Sequence, residues 1–263
     1  MDVDKKVFVV TLGCSKNRVD TEHMLGILRG KGLLVARPLE EADVALINTC
    51  GFLESAVQEA IDTILEVVRF KHQGTLKRVV VAGCFVQRYG YKLMREIPEV
   101  DGWLGTGEIH RIAEAIRPQT RSEAPLFFIG RPAYLPDHTA SRIQTTPFYS
   151  TYLRIAEGCA HRCAYCLIPA LRGRYRSRTP ESLVMEAREM ARRGVTEINL
   201  IAQDTGMYGR DLGRGFCLED LLERLAAIEG IDWWRTLYLH PAHLTDRLLD
   251  LIASEPTLVP YLD

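Results

Sequence analysis

The chain has 263 residues, enough for one large domain or two modest ones, each with its own core. Hydrophobic residues make up 47% and charged residues 25%, and a formal charge of -1 excludes a global attraction to nucleic acid, so no strong nucleic-acid binding is expected. The opening Met1-Asp2-Val3-Asp4-Lys5-Lys6 reads as neither signal nor transit peptide, and no apolar stretch approaches the roughly 18 residues of a membrane span, so a cytoplasmic chain without membrane association is expected.

In chain order, Val7-Phe8-Val9-Val10 leads into Thr11-Leu12-Gly13-Cys14, Val44-Ala45-Leu46-Ile47 into Asn48-Thr49-Cys50-Gly51, and Val79-Val80-Val81-Ala82 into Gly83-Cys84. Continuous apolar runs of this length suit strands covered on both faces, as in a parallel sheet. Between them the periodicity predicts a helix from Asn17 to about Gly30, with Met24, Leu25 and Leu28 on one side. A second helix is predicted from about Leu53 to Lys71, with Val57, Ala60, Ile61, Ile64, Leu65 and Val68 on one face and Ser55 and Gln58 spaced as a capping box. The alternation predicts an α/β fold that begins with a doubly wound parallel sheet joined by right-handed crossovers. Ligands of such sheets collect beyond the carboxyl ends of the strands, where Cys14, Cys50 and Cys84 all fall. These three thiols are expected to converge as a metal site. Gly13, Gly51 and Gly83 beside them permit tight turns and close backbone approach.

From Arg117 to Pro147 the periodicity fades, and Pro118, Pro125, Pro132, Pro136 and Pro147 mark a connection, although Leu126-Phe127-Phe128-Ile129 has the look of a short strand. The expected organisation is a sheet domain over 1–117, a linker over 118–147 and a second domain over 148–263.

The second domain opens with a strand, Tyr152-Leu153-Arg154-Ile155-Ala156, and then Cys159-Ala160-His161-Arg162-Cys163-Ala164-Tyr165-Cys166. Three thiols spaced by four and then three can hold three irons of a cubane cluster and leave the fourth open for chemistry. A zinc site with His161 as fourth ligand is the competing reading, though zinc sites gather knuckles that lie far apart in sequence. Packing of the thiols as small hydrophobes is a third, and a poor fit beside Gly158. With seven cysteines in a reducing compartment, metal is favoured over disulfides, and the odd count leaves Cys217 spare. Arg172, Arg174, Arg176 and Arg178 then alternate, as a solvated loop or as a cationic patch for an acidic ligand.

Beyond it the pattern predicts a helix from Pro180 to Arg193 with Thr179 as N-cap and Gly194 as stop, a strand Glu197–Ile201, and a helix from Leu218 to Ile228. A strand Thr236–Leu239, a helix from Leu244 to Ala253 and the start of a strand at Leu258–Leu262 complete it. Successive βα units are the grammar of a TIM-like barrel, incomplete here, whose sites lie at the carboxyl ends of its strands. No residue is assigned a catalytic role, His240 and His243 included.

The run Glu157-Gly158-Cys159 through Cys166-Leu167-Ile168-Pro169 with Arg172-Gly173 resembles the cysteine loop of the radical S-adenosylmethionine methylthiotransferase family. Leu12-Gly13-Cys14-Ser15-Lys16-Asn17-Arg18-Val19-Asp20, Asn48-Thr49-Cys50-Gly51-Phe52 and Gly83-Cys84 resemble its N-terminal strings. Within that family, Lys16-Asn17, Val19-Asp20, His161-Arg162, Gln203-Asp204-Thr205 with Tyr208-Gly209, and Pro260-Tyr261-Leu262-Asp263 are closer to the branch that modifies a ribosomal protein than to the branch that modifies tRNA. The resemblance implies two [4Fe-4S] clusters, one on Cys159, Cys163 and Cys166 that binds S-adenosyl-L-methionine, the other on Cys14, Cys50 and Cys84. It implies addition of a methylthio group to the β-carbon of an aspartate in the twelfth protein of the small ribosomal subunit, by 5'-deoxyadenosyl radical chemistry. A low-potential electron donor such as flavodoxin or ferredoxin is the implied partner. The alternatives are tRNA adenosine methylthiolation, which the charge and motif variants disfavour, and a non-catalytic iron-sulfur electron-transfer module, which two open-cornered sites disfavour. Family members continue through the rest of the barrel into a small β domain, whereas this chain stops at Asp263. A truncated product with an open sheet edge is therefore expected, and robust methylthiolation by it alone is not.

Overall fold

The computed structural model describes residues 5–74, 76–116, 125–213 and 215–263. The opening Met1-Asp2-Val3-Asp4 and the start of the expected linker, with Arg117 and Pro118, lie outside them. The chain forms two compact units. The first runs to Tyr134 and also takes in Ser141–Ile143 and Tyr165–Arg172; the second comprises Leu135–Ala140, Gln144–Ala164 and Gly173–Asp263.

The first unit contains β1 (Lys6–Thr11), α1 (Ser15–Gly30), β2 (Leu34–Val35), β3 (Val44–Thr49), α2 (Glu54–His72) and β4 (Arg78–Gly83). It continues with α3 (Cys84–Tyr89), α4 (Lys92–Glu96), β5 (Gly102–Leu104), α5 (Ile112–Ile116) and β6 (Leu126–Phe128). The six strands form one sheet in the order β2-β1-β3-β4-β5-β6, every neighbouring pair parallel. The short run at Leu126, inside the proline-rich stretch, is the last strand of this sheet.

The apolar runs are covered on both faces as their composition requires. Along β3 and β4, Ala45, Ile47, Val79 and Val81 join Ala60, Ile64 and Val68 of α2 in one core, while Val44, Leu46, Val80 and Ala82 join Met24 and Leu28 of α1 and Ile112 of α5 in the other. Each large side chain fully buried this way contributes roughly 1.5–3 kcal/mol, which is why a run with no polar alternation holds the centre of the sheet. Two details of α2 differ from the expectation. Leu53 is its N-cap, with no side-chain cap, so Ser55 lies within the helix and Gln58 bonds Asp62 at 2.8 Å instead of closing a capping box. Leu65 is 44% exposed, because the stripe from Ala60 through Ile64 to Val68 already fills the contact with the sheet.

The second unit contains β7 (Ser150–Arg154) and β8 (Ala156–Glu157). After α6 (Ile168–Arg172), which belongs to the first unit, come β9 (Arg176–Ser177), α7 (Pro180–Arg192), β10 (Glu197–Ile201), α8 (Leu218–Ala226), β11 (Trp233–Thr236) and α9 (Asp246–Ser254). β7, β10 and β11 form a parallel sheet with β10 central, and β8 pairs antiparallel with β9. Thr179 caps α7 by accepting from the Ser182 amide, with Pro180 in the first turn, and Leu183, Ala187 and Met190 on its apolar face are buried in the core. The third strand sits three residues earlier than expected. Leu237 still donates to the Leu200 carbonyl at 3.1 Å, but Tyr238 takes φ 62° and breaks the extended run. Where a fourth strand was expected, Leu258 makes one parallel bridge to Trp234.

Candidate functional site

In the first unit β1 and β3 are neighbours although β2 lies between them in sequence, so the crossover after β1 runs one way across the sheet and those after β2 and β3 run the other. The crevice at such a reversal, beyond the carboxyl ends of the strands, is where open α/β sheets bind ligands. Cys14 follows β1, Cys50 follows β3 and Cys84 follows β4. The structure brings the three thiols together. The Cys14 and Cys84 sulfurs lie 4.0 and 3.9 Å from the same atom, Asn17 Oδ1, and a Cβ placed on Gly13 would stand 3.3 Å from Cys50 Sγ. It would also stand 2.7 Å from Cys50 Cβ, and with φ at +85° no residue but glycine fits this turn without strain. All seven cysteines are free thiols. Burial pushes the Cys84 thiol up to about 11, against the pull of the Arg172 guanidinium, and Cys14, Cys50 and Asp20 push in the same direction as burial. Three thiols gathered beside one buried cation suit an electron-poor, thiophilic group.

The thiols stand on a buried polar network. Asn17 has no exposed surface; its Nδ2 donates to the carbonyls of Leu12 at 3.0 Å and Thr49 at 2.9 Å, and its Oδ1 accepts from Arg172 Nη2 at 2.5 Å. Arg172 Nη1 donates to Asp20 Oδ2 at 2.6 Å. Asn48 Nδ2 donates to the Asn17 carbonyl at 2.7 Å and to Thr21 Oγ1 at 3.0 Å. Asn17 and Asp20 are three apart on α1 and so share a face of the helix. That spacing was the one signal in the sequence for their joint role, and Arg172 carries none, since 152 residues separate it from Asp20.

Of the second cysteine set, Cys159 and Cys163 fall in the second unit and Cys166 in the first. Cys159 is buried and its amide donates to the Gly173 carbonyl at 3.1 Å; Cys163 is exposed and Cys166 half-buried. Gly158 turns the chain into the loop at φ +77°, and a Cβ there would strike the Arg174 carbonyl. Just before it, Arg154 pairs with Glu157 at 2.8 Å, both buried.

The arginine series is neither a solvated loop nor a cationic patch throughout. Arg172 is 2% exposed and pairs with Asp20, and Arg178 is 5% exposed and pairs with Glu186 at 2.6 Å. Charges so deeply buried persist only when paired, which the sequence does not reveal. Residues left unassigned from sequence also meet in the second unit. His161 Nε2 and His243 Nδ1 lie 2.6 and 2.9 Å from Asp204 Oδ2, and the His240 ring stacks on that of His161 at 5.0 Å. One ligand atom from each of His161, Asp204 and His243 lies within 4.8 Å of the others, a set suited in kind to a divalent transition metal. Asp204 is held in this position by Gly206, whose amide donates to Oδ1 at 3.1 Å. Burial lowers the His243 pKa, against the pull of Asp204.

Two family models match separate stretches of the chain. Residues 6–105 match the model described as uncharacterized protein family UPF0004, and residues 153–262 match the radical SAM superfamily. The chain is 46% identical over 259 residues to a ribosomal protein uS12 methylthiotransferase RimO of Pelobacter propionicus, covering 98% of this chain and 58% of that protein. It is 46% identical over 261 residues to the protein of the same name from Geotalea uraniireducens, covering 99% and 58%. The chain thus spans less than two thirds of the length of these curated relatives. Among solved structures, the radical S-adenosylmethionine methyltransferase TsrM from Kitasatospora setae, bound to tryptophan and a SAM analogue, matches with a TM-score of 0.62 at 15% identity, over 97% of this chain and 58% of its own. The cobalamin-dependent radical enzyme OxsB matches with a TM-score of 0.55 at 10% identity, over 95% and 42%. These two likenesses concern the fold alone.

Proposed function

Because the chain belongs to the radical S-adenosylmethionine methylthiotransferase family, in its RimO branch, we propose that it carries the cluster-binding part of an enzyme that adds a methylthio group to the β-carbon of an aspartate in ribosomal protein uS12. The observation that carries this reading is the gathering of Cys14, Cys50 and Cys84 at the strand-order reversal of the first sheet, Cys14 and Cys84 about Asn17 and Cys50 against Gly13, in a chain that also holds the Cys159, Cys163, Cys166 loop.

The donor sets fit iron-sulfur clusters. Each offers three thiols in a chain without disulfides, and three thiolates leave one iron of a cubane free for a non-protein ligand. Cys14, Cys50 and Cys84 would hold one [4Fe-4S] cluster, and Cys159, Cys163 and Cys166 the other. When bound, these groups with S-adenosyl-L-methionine supply one-electron cleavage of a sulfonium to a 5'-deoxyadenosyl radical, and sulfur and methyl for transfer. The chain's own residues do the rest. Cys84 must give up its proton to ligate, and the Arg172 guanidinium favours the resulting thiolate. Asn17 ties α1 to the ends of β1 and β3, so that the turns bearing Cys14 and Cys50 keep a fixed separation. Gly158 and the Cys159 amide fix the entry of the second loop.

A low-potential donor such as flavodoxin or ferredoxin is the proposed electron source, and the cytoplasm, where seven free thiols persist, the proposed compartment. Among the described residues no helix is long and apolar enough to cross a membrane. The test is anaerobic incubation of the reconstituted chain with reductant and S-adenosylmethionine. Release of 5'-deoxyadenosine is expected, and its loss in Cys163→Ala; release undiminished in that variant would overturn the assignment.

A further inference from the structure

Burying an ion pair costs desolvation that its attraction seldom fully offsets, so a buried pair is weak evidence for a role in stability alone. The pair Arg172–Asp20 is such a case: both side chains are at most 3% exposed, and Arg172 also donates to Asn17 Oδ1, the atom on which the Cys14 and Cys84 sulfurs converge. Both charges therefore act on the thiols from within the protein, where screening is weak.

We propose that the Arg172–Asp20 pair, hung on Asn17, sets the electron affinity of the iron-sulfur site formed by Cys14, Cys50 and Cys84, with Arg172 favouring the reduced state and Asp20 opposing it. This rests on the reading of those three thiols as cluster ligands. A cluster gains one negative charge on reduction, so a fixed cation beside it stabilises the reduced form and a fixed anion destabilises it. Burial strengthens the effect, since neither group can be replaced by a counterion from solution. Arg172 is a positioning residue in this scheme: it touches Asn17 and Asp20 and acts on the cluster through its field. It lies six positions beyond Cys166 in sequence, so a segment ending with the first sheet would lack it.

The test uses the full chain carrying Cys159→Ala, Cys163→Ala and Cys166→Ala, which removes the other cysteine trio. After anaerobic reconstitution, iron is counted and the reduction midpoint is titrated by electron paramagnetic resonance. Arg172→Met is expected to disfavour reduction by about tenfold or more, about 59 mV more negative for one electron. Asp20→Asn is expected to shift it the opposite way, and Arg172→Lys to stay near the parent. Shifts of the same sign in Arg172→Met and Asp20→Asn, or no shift in either with the cluster loaded, would overturn the proposal while leaving the ligand assignment intact. Should Arg172→Met fail to load iron, Asp20→Asn decides alone: a midpoint unchanged or more negative overturns it. A parent that takes up no iron would overturn the ligand reading, and this proposal with it.

Discussion

Asn17→Ala tests whether the polar network beneath the first three thiols holds the unit together. The substitution removes two amide donations, to Leu12 and Thr49, and the oxygen that accepts from Arg172, all at a residue with no exposed surface. A buried group left without its partner costs about 1–3 kcal/mol, more where it is charged, and the orphaned groups include one guanidinium N–H. Allowing for partial relaxation, the loss should be about 3–5 kcal/mol, a large fraction of the stability of an ordinary domain. Trp103 reports on the first unit, but Trp233 and Trp234 lie in the second, so fluorescence would mix the two. Amide hydrogen exchange of peptides spanning β3 and β4 avoids this, since their slowest amides open only with the unit as a whole. Exchange there should accelerate by about two to four orders of magnitude in Asn17→Ala. Met24→Leu, on the same helix, conserves volume and should cost less than about 1.5 kcal/mol. A loss below about 1 kcal/mol in Asn17→Ala would refute the reasoning, because it would mean that water or a shift of Arg172 satisfies every group left behind.

Ile64→Ala should destabilise the first unit by about 2–5 kcal/mol in the same exchange measurement, whereas Leu65→Ala should stay within about 0.5 kcal/mol, since Ile64 is fully buried and Leu65 is 44% exposed. Gly158→Ala adds strain of about 1–2 kcal/mol from its positive φ and a collision with the Arg174 carbonyl, so it should lower the melting temperature and iron retention of the second cysteine loop together; unchanged values for both would contradict the geometry. The His243 pKa is lowered in the folded chain, so the unfolded chain binds more protons as pH falls below about 6.5. Stability of the second unit should therefore be full above that pH and decline below it, and His243→Asn should flatten that decline in urea titrations at a series of pH values.

The strands that carry Cys14, Cys50 and Cys84 were legible because a run such as Val79 to Ala82 has no other soluble home than the centre of a parallel sheet, and the turn after such a run is where that sheet keeps its ligands. The cap and length of α7 were legible from Thr179, Pro180 and Gly194, each with a local backbone reason. What escaped the sequence was non-local. Arg172 read as one of four alternating arginines, and nothing in its neighbours announced that its partner is Asp20, 152 positions away. The meeting of His161, Asp204 and His243 depends on loops of three separate βα units, which no spacing encodes. Leu65 fitted the helical stripe and is exposed all the same, because periodicity gives the direction of a face and not the width of what covers it.

Iron stoichiometry after anaerobic reconstitution tests most directly that this chain holds two separate cubane sites of three thiols each. The unaltered chain should take up about eight irons, and the variant lacking Cys14, Cys50 and Cys84 about four, as should the variant lacking Cys159, Cys163 and Cys166. About four irons in the unaltered chain, undiminished by removing either one of the trios, would contradict the account.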